Sequence, residues 1–203
     1  MKRLAILVLL GACVLAPTAR ADGDPASDYL LVSKTFLPYD VKFPPVSQAR
    51  FVALVEAANR AGFKIRVALI GSSYDMGSVT SLWQKPHTYA RFLSEELAFL
   101  YRQRLLIVMP NGFGFNWPQH ASTAEYRILA TIPIRPSPAG MLEAAQTAVQ
   151  RLAAAGGVKL AAPVHVTTPA QRNAHDRLVI ILASLAALAV AVLLRFALRR
   201  RPR

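Results

Sequence analysis

Two periods of apolar residues run through the middle of the chain. Between Ser47 and Ala61, Phe51, Leu54, Val55 and Ala58 recur at i, i+3, i+4 and i+7, the spacing of one helix face. Pro44-Pro45 lead in, Ser47 is available as a cap and Gly62 supplies a stop. Residues 64–70, KIRVALI, begin in alternation and end fully apolar, as a strand does when it enters a sheet. A second helix opens at Pro86, an accepted first-turn residue, with Tyr89, Phe92, Leu93, Leu97, Leu100 and Tyr101 on its stripe. Leu105 to Met109 is continuously apolar, the pattern of a strand covered on both faces. Residues 64–109 therefore read as one strand–helix–strand crossover, which pairs its strands in parallel.

The flanking segments are read on weaker patterns. Tyr126, Ile128, Ala130, Ile132 and Ile134 alternate with other residues and predict a half-buried strand, its end placed at a sheet edge by Pro133. Ser137-Pro138 opens a helix whose stripe is Leu142, Ala145, Val149 and Leu152, ending before Gly156-Gly157. Tyr29 to Leu37 is a further strand candidate, and residues 22–27 read as a short polar leader. The expected class is α/β: a small mixed sheet with helices packed on it, as an α/β/α sandwich.

The ends of the chain have a different character. Lys2 and Arg3, the apolar run from Leu4 to Ala16 and the A-x-A site Ala19-Arg20-Ala21 read as a signal peptide over residues 1–21. Leu10-Gly11-Ala12-Cys13 offers the alternative of a lipobox, with Cys13 lipidated. Residues 178–198 form an apolar run, uncharged from Leu178 to Leu194, which as a helix would be roughly 31 Å long and match the hydrocarbon thickness of a bilayer. Arg199, Arg200, Arg201 and Arg203 follow, and the positive-inside rule makes this tail cytoplasmic. The expected order is signal peptide 1–21, an extracytoplasmic domain 22–160, a linker 161–177, a transmembrane helix 178–198 and a basic tail 199–203. The linker carries two prolines, Pro163 and Pro169, and no periodic pattern.

Charge is interpreted after this division. The net charge is +13. Three basic residues lie in 1–21, and seven arginines stand against Asp176 in 171–203. The domain between holds fourteen basic and ten acidic side chains, scattered rather than striped, so no nucleic-acid partner is expected.

Parallel strands at 64–70 and 105–109 would bring the loop 71–85 and the turn Pro110-Asn111-Gly112-Phe113-Gly114 to one edge, where open α/β sheets bind ligands. Polar chemistry there is sparse. Asp75 is the one carboxylate in either segment, and Asp75 with Asn111 is the candidate metal or ligand pair. A single carboxylate holds calcium or magnesium poorly unless backbone carbonyls help, so no cofactor is expected, with those ions as the alternative. Gly71-Ser72-Ser73 is not a nucleophile elbow, and the turn lacks both the dinucleotide glycine spacing and the phosphate-loop lysine. His87 opens a helix and reads as solvated or packing. His120 and His165 have no second ligand at zinc spacing. The aromatics Trp83, Phe113, Phe115 and Trp117 cluster in or just beyond these two segments and are the candidate contact surface.

"KIRVALIGSS", "YARFLSEELAFLY" and "LLIVMPNGFGF" together resemble the TPM domain, an extracytoplasmic α/β family with thylakoid, periplasmic and invertebrate members. Tyr89-Ala90 matches the family's helix motif and Gly112-Phe113-Gly114 its Gly-aromatic-Gly turn, over about residues 45–155. The order of signal, domain and C-terminal membrane helix also agrees. The resemblance implies weak metal-dependent phosphatase activity, photosystem repair, or assembly and modulation of membrane complexes. The family's Gly-rich acidic run is here Tyr101-Arg102-Gln103-Arg104, and no catalytic residue is carried over. The expectation is a membrane-anchored binding or assembly module for an envelope protein, with a phosphatase as the alternative.

Overall fold

The computed structural model describes residues 23–161 and, beyond them, residues 166, 168, 173 and 176–185. Helix α1 (Pro25–Val32) leads to strand β1 (Thr35–Phe36), helix α2 (Pro45–Arg60) and strand β2 (Ile65–Leu69). A run of 3-10 turns (Ser73–Leu82) and helix α3 (Pro86–Glu96) then lead to strand β3 (Arg104–Met109). Strand β4 (Gly112–Asn116), helix α4 (Thr123–Leu129) and helix α5 (Pro138–Ala155) complete the domain. The strands lie in the order β1-β2-β3-β4, with β1, β2 and β3 parallel and β4 antiparallel to β3. The class is therefore α/β with a small mixed sheet.

Strand alternation divides the core in two. Ile65, Val67 and Leu69 of β2, Leu106 and Val108 of β3, and Phe113 and Phe115 of β4 face α2 and α5. Phe51, Leu54 and Val55 of α2 and Leu142, Val149 and Leu152 of α5 meet them there. Ala68 of β2 and Leu105, Ile107 and Met109 of β3 face the other way, against Ala26 and Leu30 of α1 and Tyr89, Ala90 and Leu93 of α3. Burying a Leu, Ile or Phe side chain contributes about 1.5–3 kcal/mol relative to exposure, so both layers are needed to hold this sheet.

Four expectations are corrected, one of them in part. The 126–134 segment is helix α4 followed by a turn, with the amide of Ile132 donating to the carbonyl of Leu129 at 3.1 Å. Its alternation was coincidental: Leu129 and Ile132, three apart, are the buried pair. Of the 29–37 segment, residues 29–32 belong to α1 and Thr35–Phe36 form the short strand β1, so the expected strand is present over two residues only; residues 23–27 are no separate leader. Asp24 is the N-cap of α1, Pro25 opens the helix, and both Asp24 and Ala26 are buried. Finally, "GFGFN" is strand β4 rather than an exit turn.

Gly114 explains how α3 fits. A Cβ built there would lie 1.9 Å from the carbonyl oxygen of Pro86, so the helix start rests directly on the strand backbone. Gly77, at φ +53°, does the same for α1: a Cβ would lie 2.2 Å from the carbonyl of Gly23.

The signal peptide, Cys13, the tail 199–203 and most of the linker lie outside the described residues. Of the expected span, residues 178–185 are described, as part of a helical and exposed segment, and 186–198 are not. Among the described residues no helix is long and apolar enough to cross a membrane.

Candidate functional site

The carboxyl ends of β2 and β3 do bring residues 71–85 and the turn at 110–111, with the start of β4, to one edge. A hydrogen bond ties them: Asn111 Nδ2 donates to the carbonyl of Gln84 at 2.7 Å. Asn111 is thus a clamp between two connections.

Asp75 is also structural. Its Oδ2 accepts the amides of Gly71 at 2.8 Å and Ser72 at 2.9 Å, fixing the turn that leaves β2. The side chain is buried, and burial pushes its pKa above the usual carboxylate range even though those amides pull it down. Among the described residues no group of three or more His, Cys, Asp or Glu could hold a metal ion.

The four aromatics do not form one surface. Phe113 and Phe115 are 7% and 3% exposed and belong to the α2/α5 layer. Trp83 is half-buried against the α1/α3 layer on the opposite face. Trp117 lies beyond β4, with the Arg104 guanidinium 3.6 Å from its ring centre and the His120 ring stacked at 3.7 Å. The cause is the two-residue period of β4, which sends its phenylalanines inward and its glycines toward α3.

The same edge nevertheless carries a concavity. A groove of about 450 Å³ lies where β4 meets α4 and the segment after it. Phe113, Leu129, Ile132 and Ile134 supply apolar walls, with His87 and Asn111 among the polar groups. A smaller groove of about 250 Å³, lined by residues including Arg91, Phe115 and Ser122, shares His87 and Tyr126 with it.

Tyr126 separates the two. Its hydroxyl donates to the carbonyl of Phe115 at 2.8 Å and accepts the Phe115 amide at 2.9 Å. The His87 ring stacks on the phenol at 4.2 Å and 15°. Both peptide groups of Phe115 therefore point away from β3. In an antiparallel pair this direction alternates, so Phe113, two residues earlier and opposite Val108, presents its amide and carbonyl outward as well. Phe113 also lines the larger groove. The arrangement suits recognition of an extended backbone: a donor and an acceptor on a strand edge, apolar walls, and Asn111 and His87 at the rim.

Sequence reasoning missed Tyr126, which it assigned to a strand, and Asp24. The Asp24 carboxylate accepts the Tyr89 hydroxyl at 2.9 Å on one oxygen and 2.8 Å on the other, and the Ala26 amide at 3.0 Å. Burial pushes its pKa up to about 6, against the pull of those bonds. The pair Asp24-Pro25, a capping residue before a first-turn proline, was the available signal.

Comparison with protein-family models, with curated proteins and with solved structures finds no match to this chain.

Proposed function

We propose that the protein is a single-pass, membrane-anchored extracytoplasmic domain that binds an envelope protein partner in the groove beside β4. The observation that carries the binding role is the outward peptide edge of Phe113, a residue that lines a groove of about 450 Å³ with apolar walls. The anchoring role rests on the signal-like start, the apolar run at 178–198 and the arginines after it. A role in assembling or modulating a membrane complex agrees with the TPM resemblance. The phosphatase alternative has less support: Asp75 Oδ2 already accepts two amides, and among the described residues no group of three or more His, Cys, Asp or Glu could hold a metal ion.

A photo-crosslinkable residue in place of Ala130, an exposed position lining the groove, tests the reading on the full chain in its membrane. The expected result is one discrete adduct with another membrane protein. The control position is Ala154, exposed on α5. No adduct at 130, or the same adduct from 154, would refute the groove.

A further inference from the structure

The edge opposite the groove, at the amino ends of β1, β2 and β3, has its own composition. Three large apolar side chains stand in solvent there. Val32 ends α1 just before β1 and is 90% exposed. Phe99 and Leu100, in the turn between α3 and β3, are 76% and 58% exposed. Because α1 and α3 cover the same face of the sheet, these residues lie on one side of that edge. Basic residues accompany them: Arg60 at the end of α2, Lys64 before β2, Arg102 before β3 and Lys159 beyond α5, all exposed. Glu95 and Glu96, at the end of α3, and Asp28, one turn before Val32, are exposed acids nearby.

The chain leaves the domain from this edge. Helix α5 starts by the opposite one, where Pro136, Ser137 and Pro138 share a pocket with Gly71 and Pro110. It ends near the amino edge: a Cβ on Gly156 would lie 3.0 Å from the ring of Phe63, just before β2. Residues 161–177 then connect this point to the apolar run at 178.

Exposed Phe and Leu in a turn, with Lys and Arg along the same edge and the exit toward an apolar run beside them, have the chemistry of a surface that dips into a bilayer. Aromatic and aliphatic side chains enter the interface while cations meet anionic headgroups. We propose that the amino edge of the sheet rests on the anionic outer surface of the membrane that anchors the chain. This rests on the anchoring reading above. It turns the β4 groove away from the lipid.

The test uses the full chain with Cys13→Ser, reconstituted in vesicles of phosphatidylethanolamine and phosphatidylglycerol. A nitroxide is placed at Leu100→Cys or, for comparison, at Tyr74→Cys, an exposed position beyond the carboxyl end of β2. Flotation reports anchoring, and collision with oxygen or a water-soluble nickel chelate reports depth. The expected result is a chain that floats, with oxygen favoured at position 100 and the nickel chelate at position 74. A floating chain with both labels in water would overturn the resting edge and leave the anchor standing. A chain that does not float would remove both. Spin–spin broadening between labels at 100 on separate chains would assign the patch to a second copy and overturn the lipid contact.

Discussion

Against α2 and α5, β4 presents Phe113 and Phe115, and the layer is filled by side chains interlocking with side chains. Against α3 the same strand presents Gly112 and Gly114, and a helix start sits on bare backbone. The first contact tolerates small shifts in rotamer. The second is set by two main chains in contact and leaves no slack. That tight face also holds the buried pair of Asp24 and Tyr89, a carboxylate and a phenol among apolar neighbours. One face of the sheet is held by volume, the other by close approach and a polar tie.

Substitutions on the two sides should separate these modes. The largest loss is expected for Phe115→Ala, about 3–5 kcal/mol by denaturant unfolding, because it empties a nearly enclosed site. Phe113→Ala should behave similarly, because Phe113 is buried in the same layer. Gly114→Ala adds a single methyl group and should still cost about 1–3 kcal/mol, since the carbonyl of Pro86 must move. If Gly114→Ala proves neutral, the close approach on the α3 side is refuted.

The polar tie should announce itself through pH. The carboxyl group of Asp24 has its pKa raised to about 6 from an ordinary 3.8. Between these values the folded chain holds a proton that the unfolded chain has released, so stability falls as pH rises through that window. The loss is on the order of 3 kcal/mol, complete above the folded value. Asp24→Asn should remove this slope while keeping a polar partner for Tyr89, making the variant relatively more stable than wild type near neutrality. Parallel melting curves for the two proteins from pH 4 to pH 7 would break the assignment. The smallest effect is expected for Tyr126→Phe, about 1 kcal/mol for the bonds to Phe115, with faster exchange of the Phe115 amide.

The sequence revealed those parts of the fold whose patterns stem from burial. Strand β3, and β2 beyond Arg66, show as continuous apolar runs because both faces are covered, and α2, α3 and α5 show a single apolar stripe because one side is. It misled where a residue's reason lies elsewhere in the chain. Gly112 and Gly114 look like turn residues, since nothing local discloses that the start of α3 needs the missing side chain of Gly114. Helix α4 has seven residues and one fully buried position, too few for a period to be counted, so a chance alternation through Ile134 prevailed. The groove was illegible for a related reason. Its key element is a hydroxyl of α4 meeting a peptide of β4, and no spacing encodes that meeting. What could be read was the edge on which it lies.

The hydroxyl of Tyr126 has a consequence for the company the protein keeps. An exposed strand edge is a template on which another copy can add a strand, and an identical edge can extend the stack. Chains tethered in one membrane would meet far more often than chains in bulk solution. By occupying both bonding groups of Phe115, a single phenol limits the open length of β4 to the peptide of Phe113, too short to seed lateral growth of sheets. A short foreign segment can still be read there, while the protein's own kind is turned away.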